Sequence, residues 1–351
     1  MKRKAEQFDL FVPFTADLPL RDTQETMERP FFSLAKRKRV KPIEYVSPDN
    51  TVWVKVYATP EFGMATIWDA DILIWAASKL NAMRKTSVND LPRTLHCQPF
   101  DILKTINRNT GGTEYRLLRE GLARLQSTTI RTNIRPQGKK RERQFSWIES
   151  WSDITDDNTG NSLGMTITVS DWFYEGVLLD KNLLSIDPNY FGITGGRERW
   201  LYRVARKHAG GAGERGFAIS LPTLFEKSGA EGTYRRFKFE MLNIVARNEL
   251  PDFQLHTEAG RSEPSIRMIR NEALVRAPKP APTLSLPQLT SKTIELVRKS
   301  FPGWDVYALK SEFDMWLTDD PERLPDNYQK AFFGFVKQAH ERSRGPNPTN
   351  P

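Results

Sequence analysis

The sequence predicts an α+β protein in which one order of elements occurs twice, with a small helical module after the second. Three observations carry this expectation. Stretches with a two-residue apolar period alternate with stretches of helical period. The succession helix, short strand, helix, turn, helix, hairpin occupies residues 69–154 and returns at 197–270, and a proline-rich stretch at 277–287 sets off the C-terminal region. A length of 351 residues allows two or three domains, each with its own core.

Residues 1–40 read as an arm: Phe8, Leu10, Phe11, Val12 and Phe14 form a short apolar cluster, and a polar stretch leads to Pro30-Phe31-Phe32. The run Lys36-Arg37-Lys38-Arg39 has the composition of a nuclear import signal, but a solvated basic edge or a phosphate contact is the better reading. A first domain spans 41–160. It opens with a hairpin of Ile43–Val46 and Thr51–Ala58 around Ser47-Pro48-Asp49-Asn50. Val52, Val54 and Val56 alternate with Trp53, Lys55 and Tyr57, the period of a half-buried strand. Asp69 or Asp71 caps a helix to about Met83, with Ile72, Leu73, Ala76 and Leu80 on one face. A short strand at Thr94–His96 precedes a helix opened by Pro99 that carries Ile102, Leu103 and Ile106. Gly111-Gly112 breaks the chain, and Thr113 starts a helix to about Gln126. Ser127–Ile134 and Gln144–Ile154 form a hairpin around the basic loop Pro136–Arg143. This is the order of a winged helix, a helix-turn-helix unit with a β-wing added.

A second winged-helix domain spans 161–275. Thr166–Val169 is strand-like, and a connecting helix runs from Trp172 to Leu184. Arg197–Ala209 is a helix with Trp200, Leu201, Val204 and Ala205 inward, Gly216–Leu221 holds a strand, and Pro222 opens the next helix. After the turn Ser228–Gly232, a helix covers Thr233–Asn248, and Phe253–Thr257 with Ser265–Arg270 make the second wing. The third helices superpose without a gap: Tyr115 falls on Tyr234, Arg116 on Arg235, Leu118 on Phe237, Arg119 on Lys238, Leu122 on Met241 and Leu125 on Ile244. Apolar meets apolar and cation meets cation, as duplication would produce. Residues 276–288 read as a stiff proline-rich linker. Residues 289–342 read as a helical module with Ile294, Val297, Trp304, Tyr307, Leu309, Phe313, Trp316, Phe332, Phe333 and Val336 in its core, and 343–351 as a disordered tail. Those aromatics could stack on single-stranded bases, but their helical spacing makes them core first.

The 52 basic and 43 acidic side chains leave a net charge of +9, which favours encounter with polyanions. No run approaches eighteen apolar residues, no signal peptide follows the basic start, and the single Cys97 excludes an internal disulfide, all suiting a cytoplasmic protein. The four histidines (His96, His208, His256 and His340) lie far apart, which disfavours a metal-dependent nicking enzyme. One cysteine cannot make a zinc finger, and no phosphate-binding Gly-x4-Gly-Lys-Ser/Thr run occurs. Gly211–Gly216 matches a dinucleotide glycine pattern but leaves a helix for a strand, the reverse of what a cofactor needs, so it reads as a turn. Asp156–Asn161 is likewise a turn rather than a metal loop. No catalysis and no cofactor are expected.

Double-stranded DNA is the expected partner. With Tyr115, Leu118, Leu122 and Leu125 inward, the first third helix offers Thr113, Arg116, Arg119 and Arg124. The second offers Thr233, Arg235, Arg236, Lys238 and Asn243. The planar fork of arginine pairs with both major-groove acceptors of guanine. Lys139, Lys140, Arg141 and Arg143 of the first wing, and Arg261 of the second, suit phosphate or minor-groove contact. The competing reading is that these are solvated helix faces and charged hairpins.

Several segments resemble the plasmid replication initiator protein A family. They are Phe8-Asp9-Leu10-Phe11-Val12, Pro30-Phe31-Phe32-Ser33-Leu34, Trp68-Asp69-Ala70-Asp71-Ile72-Leu73-Ile74, Tyr115-Arg116 through Arg124-Leu125, Phe145-Ser146-Trp147-Ile148 and Trp172-Phe173-Tyr174. The likeness runs in order over roughly residues 8 to 275. It implies binding to repeated origin sequences (iterons), help in opening the duplex and recruitment of a host helicase, its loader or an initiator protein. It also implies repression of the chain's own promoter and exchange between monomer and dimer. A dedicated winged-helix repressor is the alternative. It more often carries one head per subunit and gains its second by symmetry, whereas two unlike heads and a third module favour the initiator. A nuclease or primase with a carboxylate site remains a third reading.

Overall fold

The computed structural model describes residues 18–85, 91–134, 142–155, 162–179, 182–260, 262–271, 287–302, 306–318, 325 and 327–343. Outside these lie the expected Phe8–Phe14 cluster, the loop at 135–141, the turn at 156–161, most of the proline-rich linker, Trp304 and the tail from 344. The chain divides into two units, 1–275 and 276–351, each with its own core. No helix among the described residues is long and apolar enough to cross a membrane.

In the first unit, residues 18–40 are built into the core rather than lying on it as an arm. Strand β1 (Arg21–Thr23) leads into a single turn, α1 (Gln24–Met27), and Leu20, Met27, Phe31 and Phe32 are buried. Phe32 stacks on Trp147 with ring centroids 4.8 Å apart, and Phe31 lies 5.9 Å from Trp172. Strands β2 (Ile43–Val46) and β3 (Trp53–Tyr57) form the expected hairpin, and Val54 and Val56 are its inward residues. Next comes α2 (Ala70–Lys85). Asp69 stands directly before its first residue, and the carboxylates of Asp69 and Asp71 engage arginines of other elements.

The order then runs β4 (Thr94–Cys97), α3 (Pro99–Thr105), α4 (Gly112–Ser127), β5 (Thr129–Thr132), β6 (Arg143–Ser146), β7 (Ile148–Thr155) and β8 (Ser162–Val169). The expected wing is displaced here. Strands β5 and β6 do pair, but they extend the N-terminal hairpin into a four-stranded sheet of order β2-β3-β5-β6. The strand that pairs with β4 is β8, and β7 flanks it, so the closing hairpin of this half is β7 with β8 rather than β5 with β6. Trp147 divides the single strand expected at 144–154. Its side chain is fully buried among Phe31, Phe32 and Trp172, and its amide donates to Leu125 O at 3.2 Å.

Helix α5 (Asp171–Leu178) begins at Ser170, whose hydroxyl accepts from Phe173 N at 3.3 Å. It is shorter than the connecting helix expected to reach Leu184, because β9 (Leu183–Ser185) leaves to pair antiparallel with β1. The second half runs α6 (Gly196–His208), β10 (Phe217–Ser220), α7 (Leu221–Ser228), α8 (Tyr234–Arg247), β11 (Phe253–Glu258) and β12 (Ser265–Arg270). Its sheet order, β10-β12-β11, repeats β4-β8-β7: in both, the strand after the first helix pairs with the last strand. Gly196 is required where α6 begins, since a Cβ there would stand 2.0 Å from Leu34 O.

Charged contacts join the halves. Arg199 Nη1 donates to both oxygens of Asp71 at 2.7 and 2.8 Å, and Arg203 Nε donates to Asp22 at 2.8 Å. Glu28 receives Lys207, His208 and Lys227, the last two at 2.8 Å. In the second unit, α9 (Ser291–Ser300), α10 (Val306–Thr318) and α11 (Tyr328–Ser343) bury Val297, Leu309, Phe313, Phe332 and Val336 as expected. Tyr307 and Trp316, expected in that core, are 59% and 45% exposed.

Burial pulls the Glu28 carboxyl upward, but His208 and the two lysines outweigh it and hold it well below the usual 4.5. A depressed acid stabilises the fold above its unfolded value, and that contribution is lost as pH falls. Urea unfolding midpoints should therefore drop below about pH 4.5 in the native chain. Glu28→Gln should be less stable at neutral pH and flatter in that acid window; an equally steep acid loss in the variant would contradict the assignment.

Candidate nucleic-acid interface

Both third helices keep the inner faces that their spacing predicts. Leu118, Leu122 and Leu125 of α4 are fully buried, as are Phe237 and Met241 of α8, with Ile244 nearly so. Thr233 caps α8, its hydroxyl accepting from Arg236 N at 3.4 Å, and Asn248 ends it in the left-handed region at φ 52°. These caps fix where each outward residue emerges.

On α4, Thr113 and Arg116 are exposed, and Arg116 forms an i,i+4 pair with Glu120. Arg119 is half-exposed and donates to Asp153 on β7 at 2.8 Å. Arg124 does not belong with them. Its guanidinium forks onto Asp69, two bonds of 2.8 Å, and Asp69 is 3% exposed. The hydrogen bond to that carboxylate raises the Arg124 pKa further. Arg143 is also committed: it sits on β6, forks onto Glu175 and is 17% exposed. Lys139, Lys140, Arg141 and Arg261 lie outside the described residues.

On α8, Thr233, Arg235, Arg236 and Asn243 are exposed. Arg236 Nε donates to Glu240 at 2.9 Å, while Lys238 reaches across to Glu263 at 2.6 Å. Glu263 also accepts from the Tyr234 hydroxyl at 2.9 Å, so Lys238 first and Tyr234 second hold its carboxyl below the usual range. Phe239 was missed by the sequence reading. It is 65% exposed, on the face that carries Arg235 and Asn243. Its position is readable: when Phe237, Met241 and Ile244 face in, residue 239 faces out. In the superposed register it falls on Glu120, so the two outer faces differ in chemistry.

The structure thus brings Thr113, Arg116 and Arg119 together on one helix and Thr233, Arg235, Arg236, Lys238 and Asn243 on another. The one cysteine is no reactive counterpart: burial pushes the Cys97 thiol up to about 12, and it donates to Met165 O.

The sequence model of the family described as "RPA: Replication initiator protein A" matches residues 21–255. The chain belongs to the replication initiator protein A family. That membership places it in the initiation of DNA replication. The matched stretch starts in β1 and ends in β11, so it includes both third helices. A curated protein of Wigglesworthia glossinidia brevipalpis named "Putative replication protein" is 33% identical over 233 residues, covering 66% of this initiator chain and 82% of that one. Among solved structures, a selenomethionine crystal structure of domains 2 and 3 of RctB is similar at a TM-score of 0.49. A second RctB domains 2–3 structure is similar at 0.41. Both are 12% identical, covering 69% of this chain and 96% of theirs; likeness at this level carries no inference about this initiator.

Two arginines of α4 should separate by role. Arg124→Ala strands the Asp69 carboxylate and should lower unfolding free energy by about 3 kcal/mol. Arg116→Ala removes an exposed i,i+4 pair and should change it by less than about 0.5 kcal/mol. Equal losses in denaturant melts would contradict this division.

Proposed function

We propose that the chain grips double-stranded origin DNA with two winged-helix heads and catalyses no reaction itself. One observation carries this reading. Each third helix packs beside a three-stranded sheet of the same order, and each leaves cations on the N-terminal half of its outer face. Helix α4 and helix α8 would enter successive major grooves on one side of an iteron, about one helical turn apart. Arg116 and Arg235 read guanine, and phosphate contacts supply most of the affinity.

The heads are not copies in what they read. Glu120 can accept from the cytosine amino group, whereas Phe239 offers apolar contact to a thymine methyl. Two unlike heads let a single chain recognise an asymmetric repeat. Several chains bound side by side would strain the duplex and open a neighbouring A·T-rich stretch. The C-terminal unit, with its separate core and its exposed Tyr307 and Trp316, is the candidate contact for a host helicase or its loader. Repression of its own promoter, monomer–dimer exchange and a cytoplasmic location belong to the same reading.

A plasmid carrying the candidate origin should replicate only when this chain is supplied. Arg235→Ala should cost about 1–3 kcal/mol on the iteron and relax base preference at one position, measured by competition against random duplex. Equal losses on specific and random DNA would remove Arg235 from base reading.

A further inference from the structure

Groove insertion leaves one cluster of arginines unexplained. Arg37 and Arg39, Arg197 on α6 and Arg236 on α8 line a cavity of about 270 Å³ where residues 33–39 meet the turn between α7 and α8. Among the described residues, two carboxylates serve these four guanidinium groups. Glu231 holds Arg37 at 2.9 Å and lies 4.0 Å from Arg39, and Glu240 holds both Arg197 and Arg236.

Arg39 is 6% exposed, yet its hydrogen bonds go to neutral carbonyls: Gly229 O at 2.6 Å, Lys41 O at 3.0 Å and Pro42 O at 3.3 Å. Burial lowers its pKa, with Glu231 opposing that shift and Arg37 adding to it. The turn is pinned against this stretch because Gly229, at φ 57°, approaches Pro30 and Ile43 where a Cβ would collide. A second feature has the same polarity. Arg236, which lines the cavity, belongs to the first turn of α8, and that turn holds no acidic residue. At the mouth, Arg37 and Arg236 keep 74% and 75% of their side chains in solvent.

We propose that this cavity seats a phosphate, and that its occupant is a backbone phosphodiester of the bound duplex. Tetrahedral phosphate oxygens accept bidentate pairs from several guanidinium groups at once. Arg37, Arg197 and Arg236 hold the oxygens, and Arg39 supplies charge from behind. The claim rests on the DNA-binding reading above and deepens it. Residues 36–39, which clamp the two halves together, also touch the duplex beside the helix that reads it. A free phosphate ester has the same chemistry and is the other source that the test must separate.

The experiment uses the full chain and Arg37→Ala, whose exposed position leaves the core intact, with Arg197→Gln as a second variant. Affinity for an iteron duplex and for a random duplex is measured across a salt series, and inorganic phosphate is titrated into the protein without DNA. Each variant should weaken both duplexes alike and flatten the log affinity–log salt slope by about 0.9, one phosphate's worth. Its deficit should then shrink about twofold for every doubling of salt. An unchanged slope overturns the proposal. If inorganic phosphate binding is lost while the slope stays, the seat belongs to a free ester and the duplex assignment is wrong. Unchanged slope with a lowered melting temperature makes the cluster a structural clip, which also overturns it. Failure of the DNA reading looks different: the native chain itself would then show no preference for the iteron.

Discussion

Two arginines four residues apart on α6 decide where the rest of the first unit sits. Arg199 and Arg203 are 4% and 2% exposed, and they end on Asp71 of α2 and Asp22 of β1, both equally buried. A buried charge stripped of its partner costs several kcal/mol. Any movement that withdrew α6 from α2 and β1 would strand Arg199, Arg203 and Asp22 together and leave Asp71 with Arg108 alone. The guanidinium groups are further boxed by rings, Arg199 5.1 Å from the centroid of Tyr190 and Arg203 5.5 Å from that of Phe32. Such pairs seldom outperform a well-packed apolar core in stability, but removing one partner is costly. Glu28 and Arg39 extend the same constraint to α7 and its turn.

The proposed function needs this rigidity. Two recognition helices on a loose tether would each search the duplex alone. Fixed to one block, they would impose a single spacing and a single order on the sequence they accept. The polar side chains divide accordingly. Those buried at the junction hold geometry: Arg199, Arg203, Asp71, Asp22. Those left in solvent on α4 and α8 are available to a partner, and their pairs with Glu120, Glu240 and Glu263 are exposed enough to exchange for a phosphate or a base edge. Arg124 shows how near the two classes lie, one helix carrying both.

Periodicity made much of this readable. Alternation placed β3 and helical spacing placed the inner faces of α4 and α8, because both report which side of an element is buried. Partnership was not readable. Residues 127–134 and 144–154 read as strands, but nothing in their pattern says whether they join β4 or the N-terminal hairpin; packing of Ile130 opposite Val56 decides it for β5. The same limit explains Arg124 and Arg143, which look like surface cations until Asp69 and Glu175 arrive from elsewhere in the chain. Residues 18–40 looked like an arm because their apolar residues come in clusters without a period. Those clusters fill gaps between elements, where no period is imposed. Phe239 is the reverse case, visible by register yet overlooked because an aromatic residue is assumed to face inward.

The most direct test of the central claim is the spacing between the two contacts on DNA. Base pairs would be inserted between the halves of a bound repeat, a few at first and then a full helical turn, and affinity measured for each duplex. Heads locked by Arg199 and Arg203 should lose the second contact with every insertion, including the full turn that restores the face. Affinity that survives the full-turn insertion would mean the heads move independently, and the account built on a single block would fail.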